Sequence, residues 1–224
     1  MSLLNRTQDL HLHGPALLKQ ILDVQLEAAA STLCYKLHFH PLGENGKIAE
    51  THKMEVHSFR VKHRIDCWGF LFGEKKNPRK LDIERAVAYE IPSSFYESLQ
   101  KGMDYKTKKG TIIPNEEVTI AASLPKSYAY CADTIFDPEL CNIVKGVSLL
   151  YHEATYLKDQ EERAAARFHS TTYQAAEIAR RSGVGKLLIG HFSSKYESLE
   201  PFLQEAKEIF PQTELALEGA CFSI

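Results

Sequence analysis

Leu149-Leu150-Tyr151-His152-Glu153-Ala154-Thr155 is a short apolar run that closes on an ionisable pair, and two later stretches echo it. His169-Ser170-Thr171 stands just before a predicted helix, and Lys186-Leu187-Leu188-Ile189-Gly190 delivers His191. Apolar runs of this length between helical patterns read as buried strands of an α/β fold. Such folds gather their chemistry in the loops at strand ends. Working outward, 10–13 reads as a strand ending at Gly14-Pro15, and 16–30 as a helix with Leu17, Leu18, Ile21, Leu22 and Leu26 at helical spacing. Strands are expected at 35–40, 54–62, 68–73, 127–131, 147–151, 186–190 and 214–217. A helix is expected from Ser170 or Thr171, either a good N-cap, to Gly183, and another begins near Pro201.

A chain of 224 residues with 44% hydrophobic and 25% charged residues has the composition of a soluble globular domain. Its net charge of -2 gives no global reason to bind a polyanion, so any such binding needs a local patch. Residues 75–109 supply one. They hold nine Lys or Arg against five acids, a local +4 that leaves the remainder at -6. Pro78, Pro92 and Gly102 punctuate the stretch, and 81–89 fits a short helix. It reads either as a solvated loop or as an arm that holds a phosphate backbone. Five scattered cysteines, with no C-x-x-C spacing and no secretory leader, point to a reducing cytoplasm. No apolar run approaches the roughly 18 residues that span a bilayer, so no membrane role is expected.

His63, Asp133 and His191 each fall at the C-terminal end of a predicted strand, and imidazole and carboxylate suit zinc. A Glu and a His brought together by the Glu153 and His169 motifs could orient an imidazole for proton transfer and raise its pKa.

The succession Val61-Lys62-His63-Arg64-Ile65, Tyr130-Cys131-Ala132-Asp133-Thr134, Leu149 to Thr155, His169-Ser170-Thr171 and Gly190-His191-Phe192-Ser193-Ser194-Lys195-Tyr196 resembles ribonuclease Z, the tRNA 3′-processing endonuclease of the metallo-β-lactamase superfamily. The match runs in order over essentially the whole chain. The resemblance implies a metallo-β-lactamase-like αββα four-layer sandwich with two zinc ions at one edge of the sheets. It places His63 as a ligand of one ion, His191 as a ligand of the other and Asp133 as the bridge, with Glu153 and His169 as the catalytic dyad. Ser193 and Lys195 match phosphate-contacting positions, Lys195 standing for a more usual Arg. Residues 75–115, with Lys106, Lys108 and Lys109, correspond to a flexible arm that grips tRNA, although Ile91-Pro92 replaces the Gly-Pro step of many members. A zinc-dependent endoribonuclease that trims 3′ trailers from precursor tRNA, acting as a homodimer in the cytoplasm, is the implied function.

One family signature is absent from this chain: no H-x-H-x-D-H run occurs. His11-Leu12-His13-Gly14 imitates its first half, and histidines at i and i+2 share a strand face. Pro15-Ala16 follow where Asp-His is required, and the segment fits a later family strand that runs into Gly-Pro. The resemblance therefore implies a single metallo-β-lactamase-like domain, 1–224, that lacks its N-terminal section and binds zinc weakly. Leaving about 1,000 Å² of core face bare would forfeit about 25 kcal/mol, more than the usual net stability of about 5–15 kcal/mol, so a covering is expected. The alternatives are an inactive form that binds tRNA or a partner subunit, and another phosphodiesterase of the superfamily.

Overall fold

A computed structural model describes residues 6–224. The described residues divide into two compact units, the first formed by 6–50, Glu55–Gly73 and Lys126–Ile224, the second by Thr51–Met54 and Glu74–Pro125.

The first unit opens with β1 (Leu10–Gly14), α1 (Ala16–Ala28) and β2 (Leu37–Pro41), and β1 pairs with β2 in parallel. Next come β3 (Gly46–Glu50), β4 (Met54–Val61) and β5 (Cys67–Glu74). The second unit contributes β6 (Lys80–Leu81), α2 (Ile83–Ala88), α3 (Tyr96–Gln100), β7 (Tyr105–Lys106), β8 (Ile112–Ile113), α4 (Asn115–Val118) and β9 (Thr119–Ile120). The chain then returns to the first with β10 (Ser127–Cys131), α5 (Leu140–Ile143), β11 (Leu149–Glu153), α6 (Glu161–Ala166), α7 (Thr172–Ser182), β12 (Lys186–Gly190), α8 (Glu200–Ile209) and β13 (Thr213–Leu215).

Among the described residues the main sheet has seven strands in the order β13-β12-β11-β10-β5-β4-β3. Strands β10 to β13 run parallel, joined through helices, while β5 lies antiparallel to β10. Leu187, Leu188 and Ile189 of β12 are all buried, as the middle of a covered parallel sheet requires. Ala175, Ile178 and Ala179 of α7 and Phe202 and Ala206 of α8 fill the core beside them. Thr171 caps α7 through a capping box with Gln174, and Gly183 ends it in the left-handed conformation at φ 61°.

One expectation is corrected and two features are added to it. The strand expected at 147–151 runs instead from Leu149 to Glu153, so His152 and Glu153 are strand residues, and Glu153 pairs with Gly190. The helix expected at 16–30 is present as α1, and it buries none of its residues, Leu17, Ile21 and Val24 being 65, 54 and 64% exposed. Strand β3 has no counterpart among the expected strands. The second unit has its own small core of Ile91, Leu99, Ile113 and Val118. Asn115 is buried there and donates to the carbonyls of Leu99 and Met103, so its amide is satisfied.

Candidate metal and proton-transfer site

Asp133 follows β10, Glu153 ends β11 and His191 follows β12, so adjacent parallel strands deliver all three at their C-terminal ends. His169 precedes the capped start of α7. Each of these four offers one ligand atom, and those atoms lie within 4.8 Å of one another. His63 follows β4, where Lys62 is tied to the Asp133 loop by hydrogen bonds from Ile135 N–H to its carbonyl and from its own N–H to Thr134 Oγ1. The His63 ring centroid is 5.2 Å from that of His169, which is 5.2 Å from that of His191.

Glu153 is fully buried. Its Oε1 accepts from Thr134 N–H and His169 Nδ1–H, and its Oε2 from Thr155 N–H, Thr155 Oγ1–H and Ser170 N–H. Burial alone would raise this carboxyl, but the hydrogen bonds from His169 and Thr155 outweigh it and leave the pKa below the ordinary value. With both oxygens so engaged, Glu153 is a positioning group and a poor metal ligand. Its hydrogen bond in turn raises the pKa of His169.

The proton positions of the other histidines follow from their partners. His63 Nδ1 lies 2.9 Å from the carbonyl of Phe168, which can only accept, so Nδ1 carries the proton. Thr155 spends its single hydroxyl proton on Glu153, so it accepts from His191 Nδ1 at 2.9 Å. All three imidazoles therefore hold Nδ1 against a partner and leave Nε2 free. His191 Nε2 is 3.3 Å from Asp133 Oδ1, about the separation of two ligand atoms on one tetrahedral zinc. Two residues here sit at positive φ, Phe168 at 58° and His191 at 60°, a cost tolerated where the site demands it.

His152 is buried on the strand beside Glu153, donates Nδ1–H to the carbonyl of Glu153 and takes no part in the cluster. Ser193 N–H bonds the Thr155 carbonyl. Lys195 donates to Gln160, and its ammonium lies 5.3 Å from the centroid of the Tyr156 ring, which packs edge-on against His169. Lys106, Lys108 and Lys109 are exposed around the β7–β8 turn of the second unit. Sequence reasoning assigns no role to Thr155, Thr134, Ser170 or the Phe168 carbonyl beyond a helix cap at Ser170. The signal for them lies in the hydroxyl residues that flank each motif.

No protein-family model matches the chain. Solved structures similar to it include a metallo-β-lactamase fold protein, YhfI from Bacillus subtilis, at 14% identity and a TM-score of 0.59 over 93% of this chain and 62% of that one. The short form of human tRNase Z aligns at 18% identity and a TM-score of 0.64 over 100% of this chain and 70% of that one. These define the class: a metallo-β-lactamase fold with an imidazole and carboxylate cluster able to hold metal. Proteins named ribonuclease Z from Bacteroides fragilis and Porphyromonas gingivalis are each 40% identical, over 99 and 97% of this chain and 74 and 72% of their own lengths. The chain belongs to the ribonuclease Z family of hydrolases.

Proposed function

We propose that this chain is a zinc-dependent endoribonuclease that removes 3′ trailers from tRNA precursors by hydrolysing a phosphodiester. The observation that carries the reading is the cluster of Asp133, His169 and His191, both imidazoles anchored through Nδ1, with His63 anchored the same way and its ring centroid 5.2 Å from that of His169. His63, Asp133 and His191 would hold zinc, and their donor set fits it. When bound, zinc supplies a Lewis acid that activates water and offsets charge on the phosphoryl oxygens. His169, held by Glu153 and with its pKa raised, stays protonated closer to neutral pH and gives its Nε2 proton to the leaving 3′ oxygen. Lys195 and Ser193 meet the substrate phosphate, Lys195 as a point charge. Lys106, Lys108 and Lys109 grip the tRNA backbone away from the reacting bond. The proposed setting is a cytoplasmic homodimer; among the described residues no helix is long and apolar enough to cross a membrane.

A second reading, tRNA or partner binding without cleavage, draws on the donor count. Two tetrahedral ions need about four ligands each, and two histidines with one shared carboxylate fall short. Zinc content by elemental analysis is expected to be below two ions per chain. Cleavage of a 3′-extended tRNA precursor in the presence of zinc decides between the readings. Cleavage that is lost in His169→Ala and His63→Ala supports the enzyme; survival in His63→Ala overturns the ligand assignment. A wild-type chain that binds the precursor and leaves it intact selects the second reading.

A further inference from the structure

The parallel register of β1 and β2 sets His11 beside His38 and His13 beside His40. Alternation along both strands puts all four imidazoles on one face, with Leu10, Leu12, Leu37 and Phe39 on the other. The rings lie nearly parallel in the sequence His38, His11, His40, His13, with centroids 4.7, 5.1 and 4.5 Å apart and interplanar angles of 10, 12 and 15°. None of these residues belongs to the Asp133 cluster.

Two of the rings share a proton. His11 Nδ1 and His40 Nε2 are 2.8 Å apart in planes 12° apart, so the rings meet edge to edge. One nitrogen donates and the other presents its lone pair. Without that proton, two imidazole lone pairs point at one place. Zinc–nitrogen bonds of about 2.0–2.1 Å at a tetrahedral angle set two ligand nitrogens about 3.3 Å apart, so an ion is admitted when these rings part by about 0.5 Å and tilt until both lone pairs meet it. His38 stacks on the His11 ring and gives its Nε2–H to Asp9 Oδ2 at 2.7 Å, so it props His11 and is not a donor to the same ion.

We propose that His11 and His40 form a second metal site on the β1–β2 sheet. It takes one divalent transition ion of the imidazole-preferring kind, copper, nickel or zinc. The remaining positions of the ion go to water. Affinity follows the order of stability for nitrogen ligands, with Cu²⁺ held most tightly.

The test uses Cu²⁺ alone, added to the full chain carrying His63→Ala and His191→Ala so that the Asp133 cluster is disabled. Calorimetry is expected to show one ion per chain, and electron paramagnetic resonance to show at least two nitrogen donors. Adding His11→Gln and His40→Gln should weaken binding at least about tenfold while the far-ultraviolet dichroism stays unchanged. The single variants His11→Gln and His40→Gln give the same reading should the combined variant lose its fold. Unaltered copper affinity in these variants, or no copper binding in the His63→Ala, His191→Ala background, overturns the proposal.

Discussion

Replacing Glu153 by Gln keeps the side chain's shape and removes the charge that holds His169 Nδ1–H and the N–H groups of Thr134 and Ser170 together. Breaking a buried ion pair from one side costs about 3–5 kcal/mol, so chemical denaturation of Glu153→Gln should show a loss of at least about 3 kcal/mol near neutral pH. The pH dependence has two flanks. Glu153 is depressed, so its contribution is complete above the ordinary carboxylate pKa and is lost as pH falls through the lower folded value. His169 is raised, so its contribution is complete below the ordinary imidazole pKa and is lost as pH rises through the higher folded value. The difference between wild type and Glu153→Gln should therefore be greatest between those limits and shrink on both sides. Thr155 is the second test at this scale, because its hydroxyl alone joins His191 to Glu153. Thr155→Val should weaken zinc binding about 10–100-fold in competition with a chelator, and Thr155→Ser, which keeps the hydroxyl, should restore most of it. Equal affinities in the two variants would assign Thr155 a packing role only.

Close approach between strands decides the next level. A Cβ at Gly69 of β5 would lie 2.8 Å from the carbonyl oxygen of Tyr130 and would overlap the Phe59 ring. Overpacking of this kind costs about 1–3 kcal/mol, so Gly69→Ala should lower the thermal midpoint, and an unshifted transition would show that β4 and β10 can move apart. Much of this level is legible in the sequence. β10, β12 and α7 are read directly from apolar runs, Gly183 and hydroxyl caps, because their signals lie within a few contiguous residues. Strand β3 is not, since Gly46–Glu50 offers little apolar alternation. Helix α1 is read correctly from its periodicity, which reports a face and says nothing of what covers it. The candidate site follows the same division. His63, Asp133, Glu153, His169 and His191 announce themselves by residue type and strand-end position, whereas the roles of Thr155 and the Phe168 carbonyl depend on hydrogen bonds between distant segments. His38 and His40 are silent in the sequence for that reason too, as only strand register brings them to His11 and His13.

At the scale of the whole molecule, Gly73 of β5 and Ser127 of β10 are directly paired across the sheet. Everything between them is, in connectivity, the loop of one antiparallel hairpin, although it forms a unit with its own core. Substituting 75–125 by an Asn-Gly turn, which suits a two-residue hairpin, should leave the first unit folded, with a cooperative thermal transition. The same change should weaken tRNA binding and flatten its salt dependence, as should Lys106→Ala, Lys108→Ala and Lys109→Ala together, since each phosphate left without its cation lowers the slope by about one. An unchanged slope in the triple variant would leave those lysines as solvated surface.

That paired closure also bears on how such chains diverge. The entropy of closing a flexible loop grows only with the logarithm of its length, about 0.6 kcal/mol for each doubling. Between Gly73 and Ser127, insertions and deletions can accumulate with little thermodynamic resistance from the sheet, and a strand register fixed on both sides stays fixed. Under the proposed role of that segment, drift in how the substrate is gripped is thereby uncoupled from drift in the residues that act on it.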